Sequence, residues 1–214
     1  MQFSLLALDF DGVIMDSVEV KAEAMRRIGE PFGPELRDRL LLYHRIEGGI
    51  NRVEKFRWLY REAYGREIPE TELADMVARF ADYIGDALLA CPFLPGLDDL
   101  LRDWHGKVPI YVCSGAMQHE LEALLSARGM AGYFQGIRGY PPEKTTLLGD
   151  ILREARVDPA TAVMVGDTAT DSRAAEANGA LFFGIGEQFA GASCPHGEDL
   201  RDVNAWLHTL GPRA

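Results

Sequence analysis

The stretch LLALDFDGVIMDS sets two aspartates, Asp9 and Asp11, just beyond an apolar run, with Gly12 directly behind them. A second acidic pair follows another apolar run, where TAVMVGDTATD carries Asp167 and Asp171. Between these in the chain, VPIYVC leads into Ser114 and Gly115, and Lys144 stands in PPEKTTLL at the head of a helical pattern. Carboxylates, a hydroxyl, a small amide and an ammonium thus all fall just past segments that read as buried strands. In an open parallel sheet the ligand crevice lies beyond the carboxyl ends of the strands, so these residues are expected to meet there.

Their types indicate a chemistry. Two unit charges about 4 Å apart repel by on the order of 4 kcal/mol at an effective dielectric of 20. Several carboxylates in one crevice therefore call for a cation. An all-oxygen donor set, without His or Cys, points to a hard divalent ion, and Mg²⁺ is the usual one beside phosphate. With the ion and Lys144 drawing off charge, Asp9 becomes a candidate nucleophile toward a phosphoryl group. Asp11 is the candidate acid for the leaving oxygen and base for the attacking water. Ser114 and the Gly115 amide are candidates to hold phosphoryl oxygens, and Gly12 permits a sharp exit from the strand. Each residue also has a plainer reading. Ser114 would cap the helix of QHELEALL, Lys144 would be an exposed lysine opening a helix, and Asp171 a helix-start acid favoured by the dipole. Asp16 and Ser17 are expected to begin a helix rather than to touch phosphate.

The elements that must position these groups follow from pattern. Five short apolar runs read as strands, within residues 3–10, 108–113, 133–139, 161–167 and 180–186. Helical stretches separate the later ones, with Leu121, Leu124 and Leu125 on one face and Leu147, Leu148, Ile151 and Leu152 on another. Alternating strand and helix argues for a parallel sheet covered on both sides. The interval between the first two strands holds only helical patterns. There Asn51 is expected to cap a helix, with Glu54 reaching back in a capping box and Gly65 ending it. Leu73, Met76, Val77, Phe80, Ile84 and Leu88 then form the apolar stripe of a longer helix. The expected organisation is a core of residues 1–14 and 92–214 with a helical insertion of residues 15–91. The five histidines show no ligand spacing and are expected at the surface or at helix ends.

Composition narrows the class. Against 33 acidic residues stand 22 basic ones, a net charge of -11 that disfavours nucleic acid as a partner. Three scattered cysteines suggest neither a disulfide framework nor a zinc site, and a cytoplasmic setting is expected. No signal peptide or membrane-spanning stretch is expected, and the pattern leaves oligomeric state open.

In order and spacing, LDFDGVIMDS, VCSG, the lysine of PPEKTTLL and VGDTATDSRAAEANGA resemble the four motifs of the haloacid dehalogenase superfamily. The third departs from its frequent KPxP context. The insertion resembles the helical cap of phosphoglycolate phosphatases and β-phosphoglucomutases. This resemblance implies a Rossmann-like α/β core with an inserted α-helical cap, and an aspartyl-phosphate intermediate on Asp9. It also implies Mg²⁺ held by Asp9, the Asp11 carbonyl and Asp167, with Asp171 in support. The expected function is hydrolysis of a small phosphorylated metabolite. The alternatives are a β-phosphoglucomutase-like mutase and, from another class, a phospho-accepting or binding module. GINR resembles the loop with which the mutases grip a distal phosphate or sugar, so Arg52 is a candidate substrate contact, with Arg45 or Lys55 as neighbours. Its plainer reading is a surface arginine paired with Glu54 or Glu47. Lys21 stands where the mutases often carry a histidine, which counts against that alternative.

Overall fold

All five expected runs form strands: β1 (Leu5–Leu8), β2 (Ile110–Met117), β3 (Gly136–Tyr140), β4 (Ala162–Gly166) and β5 (Leu181–Ile185). The computed structural model describes residues 2–212, and within them a sixth strand, β6 (His196–Gly197), joins the edge beside β5. Two residues carry no readable periodicity, which is why pattern alone missed it. The sheet order is β3-β2-β1-β4-β5-β6, and every neighbouring pair is parallel. From β1 the chain builds outward through β2 to β3, then crosses back to β4 on the other side of β1. That reversal opens a crevice at the carboxyl ends of β1 and β4, where such sheets bind their ligands.

Helices α1 (Val18–Gly29), α2 (Pro34–Ile46), α3 (Arg52–Tyr64) and α4 (Glu70–Ala90) occupy the interval after β1. They pack on one another through apolar stripes; that of α4 buries Leu73, Met76, Phe80, Ile84 and Leu88, with Val77 at its edge. Asn51 caps α3 as expected, accepting from the Val53 amide at 2.9 Å, and Gly65 ends the helix at φ 65°. Glu54 makes no return bond among the described hydrogen bonds, so the expected capping box is absent there. The chain segments entering and leaving this helical region run side by side. The Asp16 amide donates to the Pro92 carbonyl at 3.0 Å, and the Leu94 amide to the Ile14 carbonyl at 3.0 Å.

The remaining helices cover the sheet: α5 (Leu97–Trp104), α6 (Gln118–Ala127), α7 (Lys144–Ala155), α8 (Ala169–Asn178) and α9 (Leu200–Leu210). β1 shows why both faces need cover. Leu6 and Leu8 pack with Leu100, Leu121 and Val203, whereas Leu5 and Ala7 pack with Leu148, Ile151 and Ala174. Successive strand side chains point to opposite faces, so a continuous apolar run is stable only between two helical layers. Among the described residues no helix is long and apolar enough to cross a membrane.

Close packing of β4 on α8 depends on Gly166, where a Cβ would collide with the Asp171 carboxylate. Gly166→Ala is expected to lower the unfolding free energy by roughly 1–3 kcal/mol, the usual cost of overpacking, as read by urea denaturation. An unchanged midpoint would mean that α8 shifts freely.

Candidate active site

Asp9 continues the β1–β4 ladder, its amide donating to the Val165 carbonyl at 2.9 Å, and this sets its side chain beside the residues that follow β4. Gly12, at φ 73°, turns the chain back so that its amide donates to the Met15 carbonyl at 2.8 Å. A Cβ at Gly12 would strike the Asp167 carboxylate, so the turn and the acid share one space. Asp9, Asp167 and Asp171 each present an oxygen within 4.8 Å of the others. Lys144 Nζ lies 2.8 Å from Asp9 Oδ2 and 2.5 Å from Asp171 Oδ1, with all three side chains buried. The exposed-lysine reading of Lys144 is thereby corrected: α7 begins under the crevice and aims its first residue inward.

Asp171 is more than a helix-start acid. Its second oxygen accepts from the Thr168 amide at 3.0 Å and from Thr168 Oγ1 at 2.7 Å, closing a capping box at the start of α8. Both Asp171 oxygens are therefore engaged. Asp167 Oδ1, by contrast, is buried without a hydrogen-bond partner. Buried carboxylates outnumber the one ammonium, and the acidities reflect it. Burial above all raises Asp9, to about 7; Lys144 opposes this, while Asp171 and Asp11 add to it. Burial and then Asp9 also raise Asp167 well above the ordinary range. Burial would lower Lys144, but Asp171 and Asp9 outweigh it and hold the ammonium above ordinary lysine. An orphaned carboxylate oxygen amid excess negative charge, with only hard oxygen donors around it, fits a divalent cation such as Mg²⁺.

Asp11 sits differently. Burial would raise it, but Lys21 and Ser17 prevail and hold its carboxyl below the usual range. Ser17 Oγ donates to Asp11 Oδ1 at 2.5 Å, and Lys21 pairs with Asp11 Oδ2. Ser17 thus does reach the site, through Asp11. Ser114 is not a helix cap, because β2 runs on to Met117 before α6 begins; its Oγ accepts from the Ala116 amide at 3.1 Å. Gly115 is packed so closely that a Cβ would collide with the Gly49 carbonyl, and its own carbonyl accepts from Asn51 Nδ2 at 2.7 Å.

The Glu47–Asn51 loop is the seam between the helical region and the sheet. Besides the Asn51 contact, Glu47 pairs with Arg173, and Gly48 and Gly49 lie against Thr168 and Thr170 with no room for side chains. Arg52 pairs with Glu120 of α6, not with Glu54 or Glu47, and its guanidinium lies 4.8 Å over the Phe80 ring. It is buried, so the surface reading fails. A cavity of about 910 Å³ remains between α1, α4, α6 and the strand ends, reached by Asp9, Asp11, Ser114, Gly115, Arg52 and Asp167.

Lys55, expected beside Arg52, lines the cavity with it, and His44, expected at the surface or at a helix end, stands in the last turn of α2; neither was expected to be buried, and both are. Lys55 Nζ lies 3.0 Å from His44 Nδ1 and donates to the Gly48 carbonyl at 3.2 Å. Burial first, then Lys21, lowers Lys55 to about 7, and burial and Lys55 lower His44 to about 3, leaving a neutral imidazole. The helical spacing of His44 with buried Leu40 was the one signal available, and it is short.

A family model described as haloacid dehalogenase-like hydrolase matches residues 3–179. Comparison with curated proteins returns no match. Among solved structures, a "predicted phosphoglycolate phosphatase" from Haemophilus somnus is 18% identical, covering 96% of this chain and 98% of that one, with a TM-score of 0.75. CbbY from Rhodobacter sphaeroides, in complex with phosphate, is 21% identical over 93% and 95%, with a TM-score of 0.72. A HAD-superfamily hydrolase of subfamily IA from Geobacter sulfurreducens is 21% identical over 96% and 96%, with a TM-score of 0.64. At these identities the likeness is one of fold, a Rossmann-like sheet with a helical insertion.

Lys55 has no carboxylate partner among the described residues, so its charge is a cost to folding. Lys55→Met is expected to raise the unfolding free energy by roughly 1–4 kcal/mol below pH 7. Above pH 7 the folded chain has released a proton that the unfolded chain keeps until about 10.5. Wild-type stability therefore climbs with pH in that window and the gap narrows. Denaturation of both proteins from pH 6 to 10 measures it; a constant gap would deny the perturbed lysine.

Proposed function

The chain belongs to the haloacid dehalogenase-like hydrolase family, and from that footing we propose that it is a Mg²⁺-dependent phosphatase acting on a small phosphorylated metabolite through phospho-Asp9. The observation that carries this reading is the buried Asp9 carboxylate, held by Lys144 beside the orphaned Asp167 oxygen, where both aspartates line the cavity. Residues 15–91 serve as a cap over a core of residues 1–14 and 92–214. Three unpaired cysteines, Cys91, Cys113 and Cys194, suit a reducing cytoplasm.

Asp9 and Asp167 would hold the ion with the Asp11 carbonyl, and Asp171 would support them by fixing Lys144 and Thr168. When bound, Mg²⁺ supplies positive charge that cancels carboxylate repulsion and draws electron density from phosphoryl oxygens. The chain's own groups account for the remaining steps. Ser114 Oγ, the Gly115 amide and Lys144 Nζ orient the phosphoryl group. An Asp9 carboxylate oxygen attacks phosphorus, the bond to the alcohol oxygen breaks, and that oxygen takes a proton from the Asp11 carboxyl. The Asp11 carboxylate then removes a proton from water, whose oxygen attacks the phosphoryl group; phosphate departs and Asp9 is restored. Lys21 and Ser17 favour ionised Asp11, the form needed for the second step. An arriving phosphate competes for Lys21, which raises Asp11 toward the protonated form needed for the first. The docked cap excludes bulk water from the acyl phosphate until the alcohol leaves.

Phosphate release by purified protein over a panel of phosphate esters, with and without Mg²⁺, tests this reading. Release should require Mg²⁺, and Asp9→Asn should lower kcat by at least roughly 10⁴-fold without loss of fold, as for removal of other nucleophiles. Silence across the panel with turnover of β-glucose 1-phosphate to its 6-phosphate would instead indicate the mutase. Lys21→Met should move the acidic limb of kcat to higher pH, because Asp11 loses the cation that lowers it. A limb that stays in place would remove Asp11 from the rate-limiting step.

A further inference from the structure

The cavity has two unlike ends, and it persists although the cap is already docked. Asn51 bonds Gly115, Arg52 pairs with Glu120, and Glu47 pairs with Arg173, so the space is not a gap that closure would remove. At one end lie the aspartates, Ser114 and Lys144's surroundings. The other end is walled by Met25 of α1, by Phe80, Ile84 and Leu88 of α4, and by Leu121 and Leu124 of α6. The charged pair on this side is self-neutralising, since Arg52 is matched by Glu120 and lies flat over Phe80. The other cations of the lining, Lys21, Arg45 and Lys55, belong to α1, α2 and α3, where Lys21 is paired with Asp11 and Lys55 bonds the Gly48 carbonyl. Beside the apolar wall, Arg52 Nη1 is buried and unpaired.

We propose that the substrate is a phosphate monoester of an alcohol with an extended apolar body, which fills the space between α1, α4 and α6 while its phosphate sits at Asp9. This inference rests on the phosphatase reading of the same site and narrows it. A glycolate-sized ester would leave most of a cavity of about 910 Å³ unfilled. A sugar placed against Met25, Phe80, Ile84, Leu88, Leu121 and Leu124 would exchange water around its hydroxyls for side chains that accept and donate nothing, which disfavours it. An alkyl or aryl body loses no hydrogen bonds on entry and gains from leaving water. Arg52 Nη1 offers a donor to a neutral acceptor oxygen on that body.

The test is calorimetric binding of methyl-, propyl-, hexyl- and octylphosphonate, which resist hydrolysis, to the full chain with Mg²⁺. The dissociation constant is expected to fall about fourfold per added methylene through the hexyl member; a flat series would overturn the proposal. Leu124→Glu, at a partly exposed wall position, should flatten the slope, and a slope that survives it would place the chain elsewhere and overturn the proposal too. Phosphate release from hexyl phosphate is read separately. Chain-length-dependent binding without release would defeat hydrolysis while sustaining the apolar site. Release confined to small polar esters, with a flat phosphonate series, would defeat this inference alone.

Discussion

A single buried ammonium, Lys144 between Asp9 and Asp171, makes the rest of the site possible. Three acids gathered at the carboxyl ends of β1 and β4 would otherwise repel one another in a medium that screens charge poorly. Lys144 relieves part of that repulsion and in doing so ties β1, α7 and α8 together. Its position is set from behind by Leu147, Leu148, Ile151 and Leu152, which seat α7 on the sheet and leave its first residue nowhere to point but inward. Asp171 is held in turn by Thr168, so the ion pair is braced at both ends. The relief is incomplete by design of charge count. The residual negative charge, with one Asp167 oxygen unpartnered, is what a divalent cation would complete.

Around this cluster the fold divides its labour between two kinds of contact. The parallel sheet supplies the convergence: reversal of strand order at β1 places residues distant in sequence at one crevice. The Glu47–Asn51 loop supplies enclosure, and it does so with glycines because the approach is backbone to backbone. Gly115 against the Gly49 carbonyl leaves no volume for a Cβ on that side. Buried polar groups at the seam are nearly all matched, as in Asn51 to Gly115 and Arg52 to Glu120, which gives the seam a defined register. Arg52 Nη1 is the exception, buried without a partner, while Lys55 and His44 bond each other at a cost in charge. Both are buried in the cavity wall, and both are driven toward their neutral forms.

Much of this was legible in the chain. The five apolar runs, the α4 stripe, the Asn51 cap and the Gly65 stop are local consequences of periodicity and backbone preference, and local rules recover them. The candidate aspartates were legible because each closes a strand, and strand ends in a parallel sheet share a destination. Illegible were features that depend on a partner far away in sequence. Glu120 gives no sign that it meets Arg52, and Ser17 reads as a helix start until Asp11 is seen beside it. The end of β2 was misplaced because its register shifts between Cys113 and Met117, an irregularity set by pairing with β3 rather than by the residues themselves. The capping box appeared at Thr168 and Asp171 instead of at Asn51 and Glu54, since Asp171 is turned inward by Lys144 while Glu54 pairs with Arg57.

By itself, then, the sequence determined the inventory: which acids, hydroxyl and ammonium stand at strand ends, that the sheet is parallel, and that a helical region interrupts it after the first strand. These follow from short-range periodicity and covalent order, which need no knowledge of the rest of the molecule. Tertiary structure alone decided the states and neighbours of those groups: Asp11 held ionised by Lys21, Asp167 left with a free oxygen, Arg52 neutralised by Glu120, and an apolar chamber beyond the polar end. Charge, burial and cavity shape are sums over atoms brought together from the whole chain. No local stretch carries them.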